Sequence, residues 1–250
     1  MFFKLIACNV FFREICGEAA GSRHVFDMEF TEKGEHAKPE VLRESLQKRI
    51  DAADASGKAY DAVLLAYGLC GNALAGITGR STRLVVPRAH DCCTIFLGSK
   101  ERFKKHFQDN PSRPFSSAGY RERGDSYLRT SDVYAMIGLG KTFREYEALY
   151  GGENARYIME TLNPVRETGK ESEIFFIDMP GTAFLGFAET CRKEAESEGK
   201  AFTCVRGDPR LIKNLLNPEA GGWNAGDYLV LEPGEKIVPV YDWDQIIRAG

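Results

Sequence analysis

The stretch RLVVPRAHDCCTIFLGSKERF, residues 83–103, decides the fold class of this chain. A short apolar run at 84–86 ends in a proline, and a Gly-Ser pair then opens a segment with helical spacing that continues to residue 107. An apolar run followed by a helical pattern is the repeating unit of a parallel sheet. A histidine, an aspartate and two adjacent cysteines lie between the predicted strand and the predicted helix. This junction therefore also contains candidate functional residues.

Units of the same kind recur along the chain. The pattern predicts strands at 3–8, 24–30, 62–67, 83–86, 173–178, 201–205 and 227–231, and helices at 10–19, 39–53, 71–77, 99–107, 182–198 and 209–216. These elements predict an α/β fold with an open, mostly parallel, Rossmann-like sheet covered by helices on both faces. We expect a single domain over residues 1–250, in which 1–108 and 170–250 form two lobes if the chain divides at all. The Pro-, Ser- and Gly-rich stretch 109–125 predicts a loop that covers the substrate, followed by a helical insertion up to residue 169.

Composition narrows the classes of function. The 250 residues carry a formal net charge of −3 with 43% hydrophobic residues, which is typical of a globular protein and offers no basic face for nucleic acid. The apolar start, MFFKLIACNVFF, is too short for a membrane span and lacks the features of a signal peptide, so we expect a cytoplasmic protein that does not enter membranes. Seven cysteines in a reducing compartment favour metal binding or thiol chemistry over disulfides.

Thiols and an imidazole follow three of the predicted strands. Cys8 ends the first strand, Cys70 follows the third, and His90 and Cys92 follow the fourth. The carboxyl ends of parallel strands meet at one edge of a sheet, where ligands bind, so we expect these four side chains to converge there. Thiolate and imidazole donors predict a zinc site, with iron or an iron–sulfur cluster as the second choice.

Neighbouring residues extend this prediction. In an extended segment His90 and Cys92 would point to the same side, and Cys93 would replace Cys92 if a bend follows His90. Asp91 would orient His90 or lie in solvent, and His36 would approach from a loop. Two alternatives remain open: His90 caps a helix while the cysteines only pack in the core, or the thiols are reactive without a metal.

The turn after the third predicted strand is a second candidate site. Gly68, Gly71 and Asn72 surround Cys70 in a tight connection to the predicted helix 71–77. Backbone N–H groups in such a turn can bind an anion or a substrate, and a plain turn is the alternative. Ser99, ahead of the helix 99–107, is expected to be its N-cap.

Five stretches of the chain resemble a family of uncharacterised bacterial and archaeal proteins, domain of unknown function 1638. The resemblance rests on LIACNVFFRE (5–14), AYGLCGN (66–72), HDCCTIFLGSKERF (90–103), GDPRLIKNLL (207–216) and DYLVLEPGE (227–235). It spans nearly the whole chain, and the region 109–160 departs from the family pattern. The resemblance implies an association with corrinoid-dependent methyl transfer in anaerobes, and therefore a corrinoid protein or a small molecule as partner.

The pair His90-x-Cys92 with a distant cysteine also looks like the zinc ligand set of the cobalamin-dependent thiol methyltransferases. The order differs, because Cys70 precedes the pair here, so the likeness is one of chemistry. The sequence therefore predicts a metal-binding protein that acts as a zinc-dependent methyltransferase or as an accessory protein of corrinoid-linked methyl transfer. The alternative is a non-catalytic protein that binds or delivers a metal, a haem or an iron–sulfur cluster.

Overall fold

A computed structural model describes residues 1–32, 39–109, 115–124, 147–148, 151–153, 156, 173–240 and 242–250. Its largest sheet has five strands: β1 (Phe2–Cys8), β2 (Val25–Thr31), β3 (Ala62–Ala66), β4 (Leu84–Pro87) and β8 (Tyr228–Leu231). They lie in the order β2-β1-β3-β4-β8, and only β8 runs antiparallel to its neighbour. The prediction of an α/β fold with an open, mostly parallel sheet is confirmed.

A second, smaller sheet is parallel throughout. It contains β5 (Phe115–Ser117), β6 (Glu173–Asp178) and β7 (Ala201–Arg206), with β6 in the centre. A hairpin of β9 (Ile237–Pro239) and β10 (Ile247–Ala249) closes the chain. The strands that follow residue 170 are thus divided between three sheets, since β8 joins the first one.

The α-helices whose bounds the structure gives flank these sheets. They are α1 (Phe12–Ala20), α2 (Pro39–Ala55), α3 (Cys92–Leu97), α4 (Lys100–Phe107), α5 (Ala118–Glu122), α6 (Phe187–Ser197) and α7 (Arg210–Leu216). One apolar cluster runs from β1 through β3 and β4 to Phe175 and Ile177 of the second sheet, so the two sheets share a core. Within the described ranges, no helix is long and apolar enough to cross a membrane.

Three predicted elements differ from the structure. Residues 70–76 form consecutive turns and not a helix, because Cys70, Gly71 and Asn72 all have positive φ angles (45°, 64° and 69°). The segment after His90 is not extended, because α3 begins at Cys92. The predicted loop 109–125 contains β5 and α5, since residues 115–117 pair with β6. The predicted helical insertion lies almost wholly outside the described residues.

A candidate thiol site at the carboxyl edge of the sheet

Three cysteines meet where β1, β3 and β4 end. Cys8 is the last residue of β1, Cys70 lies in the turn after β3, and Cys92 is the first residue of α3. All three side chains are buried, at 1%, 4% and 5% exposure. Because β1, β3 and β4 are neighbouring parallel strands, the three thiols lie at one edge of the sheet and within electrostatic range of one another, and we call them the thiol site.

Backbone pairing between two loops brings Cys70 to Cys92. The amides of Leu69 and Cys70 donate to the carbonyls of Ala89 and His90, at 2.8 and 3.0 Å. Gly68 permits this approach, because a Cβ atom there would lie 2.5 Å from the Cα atom of Asp91. The amides of Leu69 and Cys70 are therefore engaged within the chain, and anion or substrate binding at Gly68, Gly71 and Asn72 stays a prediction.

The conformation of Cys70 itself is unusual. Its φ of 45° is in the left-handed region, where a residue that is neither glycine nor asparagine is uncommon and costs on the order of 1 kcal/mol. Strained backbone of this kind concentrates at functional sites, where the surrounding structure holds it in place. A cysteine kept in such a position supports a function for its thiol.

Burial keeps the thiols of Cys70 and Cys92 protonated. Burial, followed by the negative charge of Asp91 and of Cys8, raises the pKa of Cys70. The pKa of Cys92 is raised well above its ordinary value by burial first and then by charge on Cys70 and Asp91. The pKa of Cys93 is raised in the same way, but Cys93 is fully buried in the apolar core. In the absence of a cation, these groups are neutral thiols at physiological pH.

Asp91 is the N-cap of α3. The sequence instead predicts that it orients His90 or lies in solvent. Its Oδ1 accepts from the amide of Thr94 at 3.1 Å, and burial raises the pKa of its carboxyl to about 6. The interpretation of Ser99 as an N-cap is confirmed, because its Oγ accepts from the amide of Arg102 at 3.2 Å.

The imidazole of His90 lies in different surroundings from the thiols. Its ring stacks on Phe103 with centroids 5.2 Å apart and meets the edge of Trp243 at 5.1 Å. Its pKa is lowered by burial, with Asp242 and Lys100 as the charged groups that act on it. Its Nε2 is buried without a hydrogen-bond partner among the described residues. We call this environment of Phe103 and Trp243 the His90 pocket, and a ligand role for His90 stays a prediction.

Sequence reasoning did not identify Tyr120. This residue of α5 is 4% exposed, and its phenol oxygen lies 2.6 Å from the sulfur of Cys92. Burial is the main reason that its pKa lies well above the ordinary value, and charge on Cys92, Cys8 and Cys70 adds to the effect. Tyr120 therefore adjoins the whole thiol site.

Glu14 is a second buried group that the sequence did not reveal. It lies on α1 with 8% exposure, and neither carboxyl oxygen has a hydrogen-bond partner within the described part of the chain. Burial raises its pKa to about 7, and the charge of Glu122 on α5 contributes in the same direction. Glu14 thus lies beside the helix that carries Tyr120.

The donor set fits a soft metal ion in its chemistry. Sulfur donors from separate segments are what zinc and iron sites use. In the described ranges no three His, Cys, Asp or Glu side chains are already arranged to hold a metal ion, so the thiols would have to turn toward one another on binding. His36 lies outside the described residues.

An open cleft exists elsewhere, at the opposite edge of the sheet. It has a volume of about 1220 Å³ and is lined by residues such as His24, Arg83 and Trp223, near the amino ends of the strands. Ligands of open parallel sheets bind beyond the carboxyl ends instead. The thiol site is at the expected edge, but it is closed.

Comparison with known proteins gives one match. The sequence model of a family described as "Protein of unknown function (DUF1638)" matches residues 30–216. This range includes Cys70, His90 and Cys92, while Cys8 precedes it. No curated protein and no solved structure matches the chain.

Proposed function

This chain belongs to the DUF1638 family of proteins of unknown function, and we propose that it binds a soft metal ion, zinc first among them, through Cys8, Cys70 and Cys92. The observation that carries the proposal is that three neighbouring parallel strands each deliver a buried thiol to the same edge of the sheet. Cysteines that only fill the core have no reason to gather at the ligand-binding edge of a sheet.

The electrostatics of the thiol site support a cation as its occupant. The charges that raise the pKa of Cys70 and Cys92 come from other acidic groups, namely Asp91 and the neighbouring thiols. Ionising several such groups in a desolvated space is unfavourable unless a positive charge offsets it. A divalent ion that displaces the thiol protons would supply that charge.

Three protein thiolates leave one position of a tetrahedral shell for a substrate, which is the arrangement of a catalytic zinc site. Bound zinc lowers the pKa of a coordinated thiol, so that the nucleophile is a thiolate at neutral pH. We therefore propose a zinc-dependent thiol methyltransferase, or an accessory protein of corrinoid-linked methyl transfer, with a corrinoid protein as partner. The corrinoid link rests on the family resemblance alone.

The depth of the thiol site favours a second candidate, a protein that binds or delivers a metal, a haem or an iron–sulfur cluster without turnover. None of the three cysteines is more than 5% exposed, so a substrate has no direct path to them. Structural and carrier sites are closed in this way, whereas catalytic sites keep one position accessible. Both candidates use the same metal site, and they differ in whether a substrate can reach it.

Metal content tests the proposal directly. Protein purified without oxygen and without a metal-binding tag should contain about one equivalent of zinc per chain. Cys70→Ala should lose it, while His90→Ala and the control Cys191→Ala, whose thiol is on the buried face of α6, should keep it. A folded wild type without metal, or loss of metal from His90→Ala but not from Cys70→Ala, would contradict the thiol site.

The same preparation separates the two candidates. Zinc leaves the protein colourless, whereas an iron–sulfur cluster or a haem absorbs visible light. The zinc form, mixed with methylcobalamin and a small thiol, should consume the methyl–cobalt absorbance if the protein is a methyltransferase. A metal-loaded protein that leaves methylcobalamin intact would support the carrier.

A further inference from the structure

One short helix closes the thiol site. The α5 helix is a single turn, Ala118–Glu122, and it places the phenol oxygen of Tyr120 at 2.6 Å from the sulfur of Cys92. The ring of Tyr120 packs against Phe115 and Phe96, with centroids 5.5 and 6.4 Å away. The phenol contacts Cys92 directly, and Cys8 and Cys70 are near enough to act on it electrostatically.

Gly119 allows α5 to pack closely against the turn that follows β1. A Cβ atom at Gly119 would lie 1.8 Å from the carbonyl oxygen of Val10, a distance that no side chain can occupy. Val10 belongs to the 3₁₀ turn Asn9–Phe11 that directly follows Cys8. The position of α5 over the thiols therefore depends on the absence of a side chain at residue 119.

The rim of α5 is held by two ion pairs. Arg13 of α1 donates through Nε to Glu122 at 2.7 Å, and Arg121 donates to both carboxylate oxygens of Glu194 on α6 at 2.9 and 2.6 Å. The Arg13–Glu122 pair is partly exposed and screened by salt, whereas the Arg121–Glu194 pair has two hydrogen bonds and a largely buried arginine and is the stronger of the two. A single turn that buries only Ala118, Gly119 and Tyr120 opens more readily than the continuous strands beneath it.

From this arrangement we propose that α5 is a removable cover of the thiol site, and that the phenol of Tyr120 occupies the position that an incoming ligand takes. The ligand part of this inference rests on the proposed metal site. A soft metal ion prefers sulfur to the oxygen of a phenol, so the ligand that replaces Tyr120 is a small organic thiol. The cover explains how a site that is closed at rest serves a substrate.

Thiol labelling tests the cover in the metal-free full-length chain. Under native conditions, Gly119→Ala should raise the rate at which N-ethylmaleimide modifies Cys70 and Cys92 by about tenfold or more, because undocked α5 exposes them. Mass spectrometry of the peptides separates these thiols from Cys191, which should be unaffected. Gly181→Ala, at a position where a Cβ meets no atom within 4 Å, is the control and should match the wild type. Unchanged labelling in folded Gly119→Ala would overturn the cover.

A second, milder variant tests the cover independently in case Gly119→Ala does not fold. Arg121→Leu removes the ion pair to Glu194 and leaves the seat of Gly119 in place. It should raise labelling of Cys92 by about twofold to threefold, and about 1 M NaCl should do the same in the wild type. Labelling that responds to neither change would also count against the cover.

Cobalt(II), which takes the place of zinc among sulfur donors and absorbs visible light, tests the position of Tyr120. We expect Tyr120→Phe to change the visible bands of the cobalt-loaded protein, and ethanethiol to change those of the wild type in the same region. Identical spectra with and without the phenol would refute the exchangeable position. If cobalt does not bind but labelling follows the expected order, the proposed function fails and the cover stands.

Discussion

His90 and Cys92 are two residues apart in the chain, yet they lie in unlike surroundings. Cys92 begins α3 and contacts Tyr120 near Cys70 and Cys8, whereas His90 lies between the rings of Phe103 and Trp243. The cause is local, since Asp91 caps the helix and the chain turns between the two residues. The thiol site is rich in acidic groups, and the His90 pocket is an aromatic contact between α4 and the last loop of the chain.

The comparison shows that one short motif at the end of a strand, His90-Asp91-Cys92, can supply both a candidate ligand and a packing residue. The thiols have the chemistry of a ligand set, and the imidazole has the contacts of a packing residue. If this division is right, changes in the His90 pocket should alter the stability of the protein and leave its metal content unchanged.

Phe103→Ala is the strongest test of that division. Phe103 is 2% exposed and contacts His90, Phe107 and Trp243, so its removal leaves a large cavity. We expect the free energy of unfolding to fall by about 3–5 kcal/mol, measured by urea denaturation of the metal-free protein. The zinc content of the folded variant should equal that of the wild type. Loss of zinc would show that the His90 pocket and the thiol site are one unit.

Glu14→Gln tests the burial of an acidic group beside α5, the helix that covers the thiol site. The pKa of Glu14 is raised from 4.5 to about 7 on folding, so the unfolded chain loses its proton first as pH rises. Stability is therefore lost between pH 4.5 and 7, and above that range the loss amounts to about 3 kcal/mol. The variant should be more stable than the wild type by about this amount at pH 8, and should not differ near pH 4.

Glu18→Gln, on the same helix, is the matched control for Glu14→Gln. It should change the free energy of unfolding by no more than about 0.5 kcal/mol at either pH. Equal pH profiles for wild type and Glu14→Gln would contradict the burial of this carboxyl.

His90→Phe sharpens the comparison from the other side. The Nε2 of His90 is buried without a partner among the described residues, which is unfavourable for a polar atom. A phenylalanine keeps the contacts with Phe103 and Trp243 and removes that atom, so we expect a gain of about 1 kcal/mol in the free energy of unfolding. Metal content measured on the same sample should be unchanged. A variant that is stable but free of zinc would return His90 to the ligand set.

Patterns of apolar residues predicted the strands and the edge where the thiols meet. The bounds of β6, Glu173–Asp178, agree with the prediction, and β1 differs from it by one residue. Strand bounds follow from continuous apolar runs, and the parallel order of strands then places Cys8 and Cys70 at one edge. This much of the candidate site follows from sequence.

The parts that could not be predicted depend on contacts between distant segments. The α3 sequence CCTIFL is buried on all sides, so it has no helical periodicity, although Asp91 ahead of it is a cap signal. The segment that contains Tyr120 has the composition of a loop, and it folds because β5 pairs with β6 and Gly119 meets Val10. Neither contact is visible in the local sequence.

Cys93→Ala is the finest test, because it changes the neighbour of a proposed ligand. Cys93 is fully buried in the core, and it would have replaced Cys92 as a ligand if a bend after His90 had turned it toward the other thiols. The helical start at Cys92 instead directs the two adjacent side chains about 100° apart, so only one of them can face Cys70.

We expect Cys93→Ala to lower the free energy of unfolding by about 1 kcal/mol, as for a small hydrophobic side chain. Its zinc content should match the wild type, whereas Cys92→Ala should bind none. If the two variants exchanged these outcomes, the α3 register that separates the thiol site from the core would be wrong.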